Sequence, residues 1–202
     1  MTTASFVEQF QAMGSPFSIR IDLRERDTAP LSPSNVHKLF SYIRAETESM
    51  EQCLSRFRSN SELTELNRQL GKWVRVSKCL ADVLRSADSM YRLTAGVFDP
   101  RVLVILEDIG YHGAALTSSE TALRQVNSTN SQSRMENPKE NLMVWSAGNV
   151  VQINHPIDLG GIGKGYAADV LATLIERTLN AQELSGYIVD AGGDLVLSGE
   201  QE

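Results

Sequence analysis

Between Ile157 and Glu176 the chain reads IDLGGIGKGYAADVLATLIE, and no other stretch restricts the fold as much. An apolar Ile-Asp-Leu runs into four glycines in six residues, Gly160, Gly161, Gly163 and Gly165, and out into an amphipathic helical pattern. Glycine takes positive φ without strain and lets a ligand approach the main chain. A loop of this kind at the start of a helix offers unpaired N–H groups and the positive end of the helix dipole, which suits a phosphate. Asp158 and Lys164 flank it with an acceptor and a cation. The loop is not a Walker A motif: Asp158 stands where the first glycine is required, and Gly165 follows Lys164 where a Ser or Thr would bind Mg²⁺. Nor is it a dinucleotide fingerprint, because the spacing is GxGxG and the acidic residue precedes the glycines. A tight strand-to-helix turn without ligand is the competing reading.

The rest of the chain alternates helical and strand-like patterns. Phe17, Ile19, Ile21 and Leu23 alternate with Ser18, Arg20 and Asp22, the pattern of a half-buried strand in Met13–Leu23. A polar, proline-containing turn region follows from Arg24 to Ser34, where Ser34 or Asn35 is placed to cap a helix. Val36, Leu39, Phe40, Ile43, Met50 and Leu54 then recur at helical spacing. Asn60 or Ser61 opens a short helix carrying Leu63 and Leu66, and Trp73–Val76 reads as a brief strand. Leu80, Val83, Leu84, Ala87, Met90, Tyr91 and Leu93 outline another amphipathic helix, stopped at Gly96.

Asp99-Pro100 favours a turn, and the apolar run after it is either strand-like or a packed irregular segment. Leu116–Asn141, rich in Ser, Thr, Asn and Gln, is expected to hold a weak helix at Ser119–Val126 and then a mobile loop to about Lys139. Leu142–Trp145 and Val150–Ile153 form a hairpin pattern around Ala147-Gly148-Asn149. After the glycine loop and its helix come Tyr187–Val189, a turn at Asp190–Asp194, and Leu195–Leu197. The expected class is α+β, a mostly antiparallel sheet with packed helices. The last strand runs straight into Gly199-Glu200-Gln201-Glu202, which points either to absent sequence that would pair with it or to an edge strand that ends the fold.

At 202 residues there is room for one domain with a substantial core. A net charge of −6 argues against a surface that coats nucleic acid. Cys53 and Cys79 show no CxxC or metal spacing, which favours two ordinary thiols over a disulfide. The N-terminal MTTASFVEQF lacks the basic and apolar regions of a signal peptide, and no run reaches the ~18 apolar residues of a membrane span, so a cytoplasmic location is expected. His112 and His155 stand apart from any Ser, Cys or His partner and read as surface or structural.

Five motifs in order resemble one family. Met13-Gly14-Ser15 is similar to its N-terminal MGT signature. Leu54-Ser55-Arg56-Phe57, with Ser61-Glu62-Leu63 and Asn67, is similar to its "LSxY…S-x-L…N" segment, and Thr94–Pro100 to its "T-x-G-x-F-D" segment. Asp158–Asp169 is close to its "DLGGIAKGYAVD" core, and Asp190–Leu195 resembles its "GGD" turn. The family is the ApbE-type flavin transferases, FAD:protein FMN transferases, with an ApbE/T-fold-like α+β architecture. The resemblance implies one flavin-transferase-like domain over 1–202 that lacks its C-terminal portion.

It also implies FAD as substrate, Mg²⁺ as cofactor, and transfer of FMN to a Thr or Ser hydroxyl of a target flavoprotein subunit with release of AMP. The alternative is an FAD-binding module or a pyrophosphatase-like relative that hydrolyses FAD. By motif position, Met13, Phe57, Val97, Phe98, Asp99, Asp158 and Lys164 fall where the family contacts FAD, and Gly161 falls where a loop carbonyl binds the metal. Phe57 and Phe98 are suited to packing on flat rings, Lys164 to neutralising pyrophosphate. Phe57 replaces the family's usual Tyr. Taken singly, these residues have ordinary readings: Met13 and Phe57 as core, Asp99 as a turn former, Asp158 in a capping or turn role, Lys164 as a solvated cation. The family runs on for about a hundred further residues, an ordinary increment in domain size. They carry an "H-x-x-D-P-x-T-G" segment and the carboxylate metal ligands, none of which follows Asp194, so the catalytic residues themselves are not assigned.

Overall fold

Strict alternation of Phe17, Ile19, Ile21 and Leu23 becomes a strand with one fully buried face, β2 (Ser15–Arg24), the central element of an antiparallel sheet. The structure, a computed structural model, describes residues 3–24, 33–110, 141–179 and 181–199. The chain divides into two units, Met1–Glu51 with Gly163–Glu202, and Gln52–Ile162. The observed class is α+β with antiparallel sheets, as expected.

In the first unit β1 (Thr3–Ala12), β2, β6 (Leu184–Ala191) and β7 (Asp194–Gly199) form a sheet in the order β1-β2-β6-β7, antiparallel throughout. Helix α1 (Pro33–Leu54) starts at a proline, whose missing N–H costs nothing at the first helical position. Ser34 and Asn35, expected as caps, therefore lie inside the helix. Helix α5 (Gly163–Thr178) packs against β6 and β7 and buries Ala167, Ala168, Leu171, Ala172 and Ile175. Small residues on that face let helix and sheet approach closely. Thr47, fully buried in α1, satisfies its hydroxyl by donating to the Ile43 carbonyl at 2.8 Å. β7 is an edge strand, and its Leu195 and Leu197 are exposed.

The second unit holds the end of α1, α2 (Glu62–Asn67), α3 (Lys78–Leu93), α4 (Leu103–Asp108) and a small sheet in the order β3-β5-β4. Its strands are β3 (Val74–Arg75), β4 (Met143–Ser146) and β5 (Val150–Ile153), the last two being the expected hairpin. Ser61 caps α2 by accepting from the Thr64 N–H, and Ser77 caps α3 by accepting from the Leu80 N–H. Each such cap contributes ~1 kcal/mol. α3 buries Leu80, Val83, Leu84, Ala87 and Tyr91, while Met90 and Leu93, expected on that face, point to solvent, Leu93 being 80% exposed.

The apolar run after Pro100 is helical, a 3₁₀ turn at Pro100–Val102 continuing into α4, and neither of the two expected alternatives. The reason is local. Asp99 accepts from the Arg101 N–H at 2.9 Å and Pro100 supplies a preset φ, so the turn is capped and started as a helix. The weak helix and loop expected before Lys139, and His112, lie outside the described residues. His155 is partly exposed. Among the described residues no helix is long and apolar enough to cross a membrane.

Candidate functional site

Two sets of side chains contain the motif residues. In the first unit, β1 and β2 are joined by Met13-Gly14, both with positive φ (50° and 70°), between the paired residues Ala12 and Ser15. That is the two-residue hairpin whose twist matches the flanking strands. β6 and β7 are joined the same way by Gly192-Gly193 (φ 66° and 101°) between Ala191 and Asp194. Because Phe17 pairs with Ala191, both turns stand at one end of the sheet.

Gly192 is close enough to Ser15 that an added Cβ would lie 2.5 Å from the Ser15 Cβ, and 3.3 Å from the Lys164 Cδ. Lys164 is the second residue of α5, so its ammonium stem rises beside the two turns from the positive end of that helix. No acidic residue sits in the first turn of α5, and among the described residues Lys164 has no ion-pair partner. The geometry is that of a cationic corner lined by main chain.

Met13 is not a core residue. It is partly exposed and left-handed, and its N–H donates to Glu51 Oε2 at 3.0 Å. A left-handed non-glycine residue costs ~1–2 kcal/mol. Among the described residues only Met13 and Ala95 have this conformation without being glycine, and each lies in one of the five motifs. Backbone strain held at such positions points to function.

In the second unit, the segment leading to the glycine loop is anchored at three points. Asn67 donates its Nδ2 to the Ile157 carbonyl at 2.8 Å and accepts the Ile157 N–H on Oδ1 at 2.9 Å. The Asp158 N–H donates to the Pro100 carbonyl at 2.8 Å. Asp158 then divides its carboxylate: Oδ1 accepts the Gly160 N–H, and Oδ2 pairs with Arg56 Nε at 2.6 Å. The two side chains are 8% and 7% exposed, so this is a buried ion pair. A Cβ on Gly160 would lie 2.8 Å from Asp158 Oδ1, so any side chain there would displace that carboxylate. Asp158 thus plays a turn role, its carboxylate closing on the N–H two residues ahead, well before α5 begins.

Arg56 also stacks over the ring of Phe57, its guanidinium carbon 4.2 Å from the centroid. Phe57 is 50% exposed, so it is not core either. Phe98 lies against the loop: a Cβ on Gly161 would lie 3.4 Å from Phe98 Cε2. Phe98 is held by its N–H, which donates to Thr94 Oγ1 at 2.9 Å, in a turn where the Gly96 N–H reaches back to the Tyr91 carbonyl. Val97 projects outward, 91% exposed.

Asp99 is buried and bidentate to Arg101, whose guanidinium also donates to the Tyr91 hydroxyl at 3.0 Å. These partners raise the Arg101 pKa above its ordinary value, the Asp99 hydrogen bond most of all. Sequence reasoning missed Arg56 and Arg101 as site residues. Arg101, two positions after Asp99, carried a readable signal, whereas Arg56 pairs across a hundred residues and carried none.

Mg²⁺ does not fit the described residues by themselves. Among them there is no group of three or more His, Cys, Asp or Glu able to hold a metal ion. The carboxylates nearest the glycine loop, Asp99 and Asp158, are committed to arginines. Gly161 can offer only its carbonyl.

A model of the ApbE family matches residues 13–202. A Treponema pallidum (strain Nichols) protein named FAD:protein FMN transferase is 29% identical over 171 residues, covering 82% of this chain and 46% of that protein. Among solved structures, the flavin transferase ApbE from Vibrio cholerae superposes with TM-score 0.77 at 20% identity, over 99% of this chain and 61% of that one. The ApbE protein from Thermotoga maritima superposes with TM-score 0.75 at 23% identity, over 96% and 59%. At these identities the solved structures speak for the fold. The chain spans about half the length of the curated relative and about three fifths of the solved chains.

Proposed function

Because the chain belongs to the ApbE family, we propose that it serves flavin transfer, as part of one flavin-transferase-like domain spanning 1–202. FAD is the substrate. A Thr or Ser hydroxyl of a target flavoprotein attacks the phosphorus on the FMN side of the pyrophosphate, a new phosphoester forms, the bond to the AMP oxygen breaks, and AMP leaves. The observation that carries this reading is the cationic corner: Lys164, without an acidic partner among the described residues, stands at the helix terminus beside two tight turns whose backbone is nearly bare. Such a corner suits the negative charge that grows on the leaving phosphate.

The remaining roles follow from what each side chain has free. Phe57, Val97 and Phe98 offer exposed or half-exposed apolar surface to the flat rings of FAD. Met13 offers a thioether from a fixed turn. Asp99 and Asp158, with their carboxylates engaged, act mainly by holding the turns that present Phe98 and the glycine loop. Toward Mg²⁺ this chain would contribute the Gly161 carbonyl, a hard oxygen donor of the kind the ion accepts.

One observation favours a second reading, an FAD-binding module without chemistry: no acid cluster stands free among the described residues. A single assay separates the two. The protein is incubated with FAD, Mg²⁺ and a flavoprotein acceptor domain, and the mixture is read by mass spectrometry. AMP release with FMN attached to an acceptor Thr or Ser is the expected outcome. FAD that binds but stays intact, with the acceptor unmodified, would select the binding module instead.

A further inference from the structure

The two cysteines, 26 positions apart and unremarkable in sequence, are brought together at the start of α3. Cys53 lies in the last turn of α1 and Cys79 is the second residue of α3. Both are free thiols, Cys53 buried and Cys79 partly exposed. The thiol of Cys53 hydrogen-bonds that of Cys79, and this contact, ahead of burial, raises the Cys53 pKa. Cys53 Sγ also lies 3.4 Å from Glu62 Oε2 and 3.7 Å from Ser77 Oγ. Glu62 is fixed in turn by the Ser77 N–H and hydroxyl, at 2.5 and 2.6 Å. The pair therefore sits in a built setting: a buried sulfur, a more accessible sulfur in contact with it, and a carboxylate held against the buried one.

We propose that Cys53 and Cys79 are a redox-active dithiol that closes to an intramolecular disulfide on exposure to a peroxide. The accessible sulfur reacts first. Cys79 is oxidised to a sulfenic acid as the O–O bond breaks and hydrogen peroxide is reduced to water. Cys53 then attacks the Cys79 sulfur. The S–S bond forms, the S–O bond breaks, and the oxygen leaves as a second water. The Cys53 proton goes to that departing oxygen, which completes the second water. In sum, two thiols and one hydrogen peroxide give one disulfide and two waters. Cys53 Sγ stands 3.7 Å from the Ser77 hydroxyl that caps α3, two residues before Cys79, so both thiols lie at the same helix start. The bond would tie the end of α1 to the first turn of α3, three residues before Arg56. This inference is independent of the flavin reading.

The test is to treat the full chain with hydrogen peroxide under native conditions, block remaining thiols with an alkylating reagent, and digest it without reductant. Two reactive thiols per molecule should fall to none. The mass before alkylation should drop by about 2 Da, the two hydrogens lost in forming one S–S bond. A Cys53–Cys79 peptide should appear and vanish with dithiothreitol. Cys53→Ser should instead stop at Cys79 sulfenic acid, trapped by dimedone. Both thiols remaining alkylatable, sulfinic acid at Cys79 in the wild-type chain, or disulfides only between molecules would overturn the proposal.

Discussion

Asp158→Ala should unfold this protein far more easily than its place in a glycine loop suggests. The carboxylate neutralises Arg56 at 2.6 Å, and the two side chains are 8% and 7% exposed. Removing Asp158 takes this carboxylate away from a guanidinium with little access to water, and breaking a buried pair in this way costs ~3–5 kcal/mol. The Gly160 N–H loses its acceptor as well, but Gly160 is exposed and water replaces it. We therefore expect ~3 kcal/mol, the lower end of that range.

Arg56→Met keeps the aliphatic stem, strands the carboxylate instead, and should cost a similar amount. The double variant strands neither charge, and apolar replacement of a buried pair is often close to neutral. It should therefore be clearly more stable than the sum of the singles predicts, with a coupling of ~2 kcal/mol or more. Urea unfolding of the four proteins, followed by far-UV circular dichroism, measures this. Singles that each cost under ~1 kcal/mol and add without coupling, as exposed pairs do, would refute the reasoning.

Asn67→Ala removes both hydrogen bonds to the fully buried Ile157 and should cost ~2–4 kcal/mol in the same urea assay, since each stranded buried group costs ~1–3. Gly192→Ala drives a Cβ to within 2.5 Å of the Ser15 Cβ at positive φ, whereas Gly193→Ala meets no atom within 4 Å, so thermal unfolding should fall much further for the first than for the second. Tyr187 donates to Glu176 Oε1 at 2.7 Å, and burial followed by that bond pushes its pKa up from 10 to about 12. A raised phenol pKa means the folded state holds the proton more tightly. Its stabilisation is therefore complete below pH 10 and lost as pH rises through 12, by ~2–3 kcal/mol. Tyr187→Phe should flatten that alkaline loss in denaturation curves taken across the same range.

Much of the fold was legible because its elements have strong periods. β2, α1 and α3 each place apolar residues at the spacing their core faces need, and Ser61 marks a helix start. β1 went unread because none of its residues is buried: Phe6 and Phe10 are only half-covered and Val7 is exposed, so its ladder to β2 is what makes it a strand. The run Leu103–Asp108 has no deciding period, and the Asp99 cap upstream settles it. At the candidate site the glycine loop, Lys164 and the aromatic residues were readable as types. Their burial was not. Phe57 and Met13 resemble core residues in sequence and are surface features of tight turns. Contacts between distant positions, Arg56 with Asp158 and Cys53 with Cys79, leave no local pattern to read.

Whether a flavin pyrophosphate corner forms around Lys164 is answered by isothermal titration of the chain with FAD. Wild type should bind, and Lys164→Met should weaken Kd at least ~10-fold, since a charge-assisted hydrogen bond to phosphate contributes ~1.5–3 kcal/mol. No heat of binding at high micromolar FAD, or a Kd unchanged by Lys164→Met, would contradict the account.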